Sequence, residues 1–218
     1  YDIAESGVLN FAGGTHNLSG ITTTGAGQTQ ITSGKVVVPE SGSLTISSGF
    51  KVLGGTLQAD GQVTLAGESA WYQGGLLTGA GEILNTGTFD IISNGFFDRT
   101  LSTTITNTGT INQNTTWSNT TYGIRFEDGR INNLAESTFN VKRGYLSSIS
   151  GENRFTNSGT VLKTTNQSGS IGVAFDNVGT IRVEEGTLAL SGGGISTAGT
   201  YDIAESGVLN FAGGTHNL

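Results

Sequence analysis

A Gly-Thr step followed by alternating apolar residues returns along this chain in one phase. It appears as NTGTFDI (85–91), NTGTINQ (107–113), NSGTVLK (157–163), NVGTIRV (177–183) and TAGTYDI (197–203). Gly159, Gly179 and Gly199 lie 20 apart, and Gly87 and Gly109 lie 22 apart. GAGQTQI (25–31), ADGQVTL (59–65) and LAESTFN (134–140) keep the rhythm without the Gly-Thr pair. Periods of about 20 to 50 residues belong to solenoids, propellers and arrays, in which each repeat buries its apolar face only against its neighbours.

Within one period the chain reads strand, turn, strand, turn. TIRVEEGTLALSGGGISTAG (180–199) alternates through Thr-Ile-Arg-Val, turns at Glu-Gly, alternates again through Thr-Leu-Ala-Leu, and turns at Ser-Gly-Gly-Gly. A period of two places Ile181 and Val183 on one side and Thr180 and Arg182 on the other. The same reading turns Tyr201, Ile203, Val208 and Phe211 inward. No segment sustains the i, i+3, i+4, i+7 apolar spacing of a helix, and helix formers are scarce. The 36 glycines, about twice the usual share, suit many tight turns between many short strands.

Strands of a sandwich have no reason to share a phase, whereas a coil passes the same corner on every lap. The prediction is therefore an all-β chain forming a right-handed parallel β-helix, or β-solenoid, with rungs of about 20 or more residues. Roughly nine rungs stacked at about 4.8 Å would rise on the order of 40 Å. Residues 92–156 follow the rhythm less closely, and 112–123 and 145–154 are expected to loop away from the rod.

A second, longer repeat is nested over the first. YDIAESGVLNFAGGTHNL occupies both 1–18 and 201–218 without a substitution. The domain reading is accordingly one solenoid unit at 1–200 and the start of an identical unit at 201–218. The parent chain is expected to be a tandem array from which this sequence is a piece.

Composition narrows the function classes. A net charge of −7 and only 10 Lys and Arg disfavour nucleic acid or an anionic membrane surface as partner. No window approaches the ~20 apolar residues that a spanning helix needs, so no membrane insertion is expected of this segment. The chain has no cysteine. That suits an exported bacterial protein held by backbone pairing rather than by disulfides.

AWYQGGLLTGAGEILNTGTFDI (70–91) and FAGGTHNLSGITTTGAGQTQI (11–31) both run from a Gly-Gly pair through Leu or Ile to a Gly-x-Gly step. This resembles the low-complexity β-helical repeats of large bacterial surface proteins, the filamentous-haemagglutinin-like and autotransporter-passenger adhesins. The resemblance implies an extracellular structural or adhesive fibre. Its partners would be neighbouring units and like chains, together with polysaccharide or a cell surface.

The chemistry on offer is sparse. His16, with its copy His216, has no second ligand at metal spacing and reads as a corner or outward-facing residue. Glu127 with Asp128, and Glu184 with Glu185, read as solvated turns rather than calcium loops. The sequence calls for no cofactor and no metal. A lyase or hydrolase on a β-helix would need two carboxylates across a groove, for which Asp90 with Asp98, or Glu152 with Asp176, are the conceivable pairs. No motif selects them, and homogenised tandem copies suit length and avidity better than catalysis. A carbohydrate-binding reading rests on Trp71, Tyr72, Trp117 and Tyr122, aromatic faces set among Gln, Asn and Thr. The alternative for these rings is to fill the coil interior. The Asn-x-Ser/Thr sequons are expected by chance in so Asn- and Thr-rich a chain.

Overall fold

A computed structural model describes residues 1–72, 74–93, 99–115 and 123–218. Among these residues there is no helix. The strands stack in parallel as a β-solenoid of about 9 turns, with about 21 residues per turn. Each lap passes three faces. The first face runs upward from Ile21–Thr23 through Ser43–Ile46, Gln62–Leu65, 82–85, 104–107, Arg130–Asn133 and Arg154–Asn157 to Ala174–Asn177. Gly194–Ile195 and His216–Asn217 continue it as a separate parallel pair. The second face runs from Val8–Phe11 to Thr200–Ile203. The third runs from Thr15–Asn17 to Gly207–Phe211.

Strict register in this stack turns sequence alternation into columns. On the second face Phe50, Ser69, Phe89, Ile111, Phe139, Val161 and Ile181 stand above one another inside the coil. On the first, Leu44, Val63, Ile83, Ile105, Ile131, Phe155 and Phe175 do the same. Phe155 meets Phe139 and Phe175 edge-on, with ring centroids 4.8 and 5.2 Å apart. Burying each such ring is worth about 1.5–3 kcal/mol.

The Gly-Thr marker is the corner between the first and second faces. Its threonine is the first outward residue of the second face, so Thr88, Thr110, Thr138, Thr160, Thr180 and Thr200 form an external column. Its glycine lies against backbone: a Cβ on Gly109 would be 2.2 Å from the Gly87 carbonyl oxygen, and one on Gly179 would be 2.2 Å from that of Gly159. The lap through Leu134–Ser137 makes this corner with extra residues instead, Glu136 taking φ +67°.

Several expectations change. Residues 145–150 do not leave the rod. They belong to Thr138–Ser150, paired to Gly123–Glu127 below and to 169–172 above. Val208 points outward beside Thr187, while Leu209 and Phe211 continue the inward column of Leu188 and Leu190. His16 is not outward either. It lies in register with buried Val36, packs its ring 5.0 Å from that of Phe11, and bonds the Gly13 carbonyl through Nε2 at 2.8 Å.

Candidate functional site

The site begins at the first corner. Two residues before Gly87, Gly109, Gly159 and Gly179, and at the matching place in the lap through Leu134–Ser137, stands an asparagine whose side chain turns into the coil. Asn85, Asn107, Asn133, Asn157 and Asn177 are all fully buried. The Nδ2 of each donates to the Oδ1 of the next, at 2.7, 2.7, 2.8 and 2.7 Å in ascending order. The ladder ends on the Ser196 hydroxyl, 3.2 Å from Asn177 Nδ2. Nδ2 also reaches the marker carbonyl in its own lap and the threonine carbonyl of the next, as Asn107 does with Gly109 and Thr138. Polar groups buried this deeply must be paired, and identical groups one rung apart pair by repetition alone. Sequence reasoning missed this column. The signal was the Asn written into NTGT, NTGT, NSGT and NVGT.

Two further inward positions are cationic. Lys163 shares a column with Val141 and Val183. Its Nζ donates to the carbonyls of Lys142 and Thr165 and, at 2.8 Å, to the Thr165 hydroxyl. Burial lowers its pKa to about 8, against a smaller raising effect of Glu185. Arg99 is buried with its guanidinium directed at the carbonyls of Trp71, Ile92 and Gly123.

The proposed carbohydrate contacts divide. Trp71 is 0% exposed, stacked in the column between Val52 and Ile91, its indole N–H donating to the Gly75 carbonyl at 3.0 Å. It is a core residue and offers no face to a ligand. Tyr72, the next residue, is half-buried and lines a shallow groove of about 240 Å³ on the second face, with Gln28, Lys51, Glu68, Asp90 and Ile92. Trp117 and Tyr122 lie outside the described residues, as does Asp98.

Of the other carboxylates named above, Asp90, Asp128, Asp176 and Glu184 pair within the framework, while Glu152 is exposed. Asp90 accepts from Asn112 Nδ2 at 2.8 Å. Asp176 pairs with Arg154 and accepts the Ile195 N–H at 3.0 Å, and Glu152 lies 3.7 Å from Arg130. Asp128, at φ +57°, accepts the Glu152 N–H at 2.9 Å. Glu184 pairs with Arg182 at 3.0 Å. Among the described residues no group of three or more His, Asp or Glu is placed to hold a metal ion.

The two coil ends complete the site, because the same repeated segment builds both. Each copy makes the same local path. Gly7 N–H bonds the Ala4 carbonyl at 2.7 Å and Gly207 that of Ala204 at 2.9 Å, while Gly14 and Gly214 take φ +71° and +72°. They nevertheless occupy different faces. Asp2 bridges Thr24 on the first face, whereas Tyr201 stacks on Ile181 of the second. The first face is revisited nine times between Asp2 and Gly194–Ile195, and Tyr201 lies one face further on.

No family model, no characterised protein and no solved structure matches this chain.

Proposed function

We propose that the chain is a length of a rigid structural fibre, a segment of an exported bacterial surface rod in which unit follows unit along one coil axis. The supporting observation is that the duplicated segment at both ends takes the same local path and extends the same three-faced coil. A further unit therefore continues the cross-section unchanged. Burial columns, the asparagine ladder and the continuous backbone pairing all run along the axis, which is where a load-bearing rod needs its cohesion. Length from repetition and many weak surface contacts are what such a rod offers to adhesion. No catalytic role is part of the proposal.

Two units joined through the shared segment test it. At about 4.8 Å per lap, the product should appear by electron microscopy as one straight rod of roughly 90 Å. A hinge or two separate bodies would overturn the reading.

A second reading is glycan contact on the rod surface, favoured by the Tyr72 groove, where an aromatic ring stands among Gln28, Lys51, Glu68 and Asp90.

A further inference from the structure

The number of faces between the two copies of the repeated segment is set by register, and it is not a multiple of three. Asp2 bridges Thr24 on the first face. Nine laps later the chain is on the first face again at Gly194–Ile195, and Tyr201 falls on the second, above Ile181. The rest of the segment keeps this offset. Val8–Phe11 is on the second face and Gly207–Phe211 on the third, while Thr15–Asn17 is on the third and His216–Asn217 on the first. One unit of 200 residues is therefore nine laps and one face, and only three units complete a whole number of laps, 28.

We infer that successive units of the fibre are turned by one face about the coil axis, so that each surface feature of a unit looks out on three sides in turn. The inference rests on the fibre reading and gives it a symmetry, a screw of three units that advances about 45 Å per unit. A given side then repeats after about 135 Å. Two observations show how the coil admits the offset. From Val8 to Trp71 every strand has three or four residues on every face, so the section is close to equal-sided and one segment suits any face. In and out also survive the change of face. Leu209 and Phe211 stand above Leu188 and Leu190, and their counterparts Leu9 and Phe11 stand below buried Thr29 and Ile31. A step of one face preserves the two sides of every strand, whereas a slip of one residue would exchange them.

The asparagine ladder follows the same screw. It lines the corner between the first and second faces of one unit, and stands over the corner between the second and third faces of the unit below. Over three units each long edge of the rod carries it once. For the glycan reading of the Tyr72 groove, the screw decides which sites act together. A flat surface meets the groove of one unit in three, so avidity on such a surface begins with the fourth unit. Neighbouring grooves look in different directions and engage separate polymer chains. The partner that suits this arrangement is a mesh of polysaccharide around the fibre, which the fibre cross-links.

Thiols introduced into this cysteine-free chain test the screw. Arg182, Asp202 and, by identity with Asp2, Thr24 of the following unit form one outward column. In a two-unit chain, Arg182→Cys in the first unit and Thr24→Cys in the second are two laps apart, about 10 Å. A bismaleimide of that span should join them, as mass spectrometry would show, and should fail to join Asp176→Cys, on the first face, to the same Thr24→Cys. The reverse pattern would overturn the inference. A six-unit chain with Val178→Cys in each unit tests the consequence, because Val178 is 60% exposed at the ladder corner. Small gold particles on its thiols, located by cryo-electron tomography, should climb about 45 Å per step and fall on three sides in turn. Gold in a single row along a straight rod would overturn the screw and leave the fibre reading standing. A hinged or beaded chain removes the fibre reading, and the screw with it.

Discussion

Asn133 Nδ2 lies 2.8 Å from Asn157 Oδ1, a residue 24 positions further along the chain and one lap above it. Asn133 Oδ1 in turn accepts from Asn107 Nδ2 at 2.7 Å and from Ser137 Oγ at 2.9 Å. Replacing Asn133 by Leu takes from Asn157 Oδ1 its donor in a dry interior, whereas Asn107 Nδ2 and Ser137 Oγ keep the carbonyls of Gly109, Thr138 and Leu134. A buried group left unpaired costs about 1–3 kcal/mol. Asn85 is the lower end of the ladder. Its register partner beneath is Leu65, and its Oδ1 has no partner among the described residues. Above it, Asn107 Oδ1 keeps the Gly109 N–H as donor. Urea denaturation should therefore show Asn85→Leu costing less than half as much as Asn133→Leu. Equal losses would mean that the ladder contributes packing rather than pairing.

The glycine column makes a steric prediction. A methyl on Gly109 would be 2.2 Å from the Gly87 carbonyl oxygen, which is backbone and can yield only if the laps separate. Gly109→Ala should destabilise by more than about 1 kcal/mol. A methyl on Gly13 would meet nothing within 4 Å, and φ there is not positive, so Gly13→Ala should be neutral or stabilise by up to about 1 kcal/mol. Thermal melts of the two variants check the pair, and a Gly109→Ala chain as stable as wild type would show that the laps are not held at this spacing.

The coil was legible in the sequence because a chain that returns to one corner writes that corner at a constant interval. Ile181 and Val183 could be placed inside from alternation alone, and both are fully buried. What was not legible is parity after a corner, since shifting a strand by one residue exchanges its two sides. Trp71 and Tyr72 are adjacent, and that single step puts one in the core and the other on the groove. The same step separates outward Val208 from inward Leu209. Lys163 is fully inside because it follows Val161 by two positions, although its charge argues for solvent. The asparagines were visible as letters of the marker, but their pairing is a property of stacked laps and emerges only once the laps are aligned.

Lys163 gives the rod a pH dependence with a definite sign. Its pKa falls from the ordinary 10.5 to about 8 in the folded chain because burial disfavours the charged ammonium. Below about pH 8 both states carry the proton, and the folded state bears the whole penalty. Between about 8 and 10.5 the unfolded chain still holds a proton that the folded chain has released, so stability rises with pH. The melting temperature should climb from pH 7 to pH 9.5, and Lys163→Met should flatten that climb while raising stability at pH 7. An unchanged slope in the variant would assign the dependence to other groups.

Tyr72 separates contact from support. The ring sits at the rim of the second-face groove, while the backbone beside it continues the ladder by donating from its own N–H to the Val52 carbonyl at 2.8 Å. Tyr72→Ala removes the ring and leaves that bond. If the groove holds sugar, affinity electrophoresis in a panel of soluble polysaccharides should show wild type retarded by at least one of them, and Tyr72→Ala released, with unchanged melting temperature. Losing a stacked ring should weaken such a contact by about 0.5–1.5 kcal/mol, or several-fold. Trp71→Ala is the contrasting variant: it empties a core position and should cost about 3–5 kcal/mol of stability. Retention that survives in Tyr72→Ala, or no retardation of wild type by any polysaccharide, would remove the glycan reading from this groove.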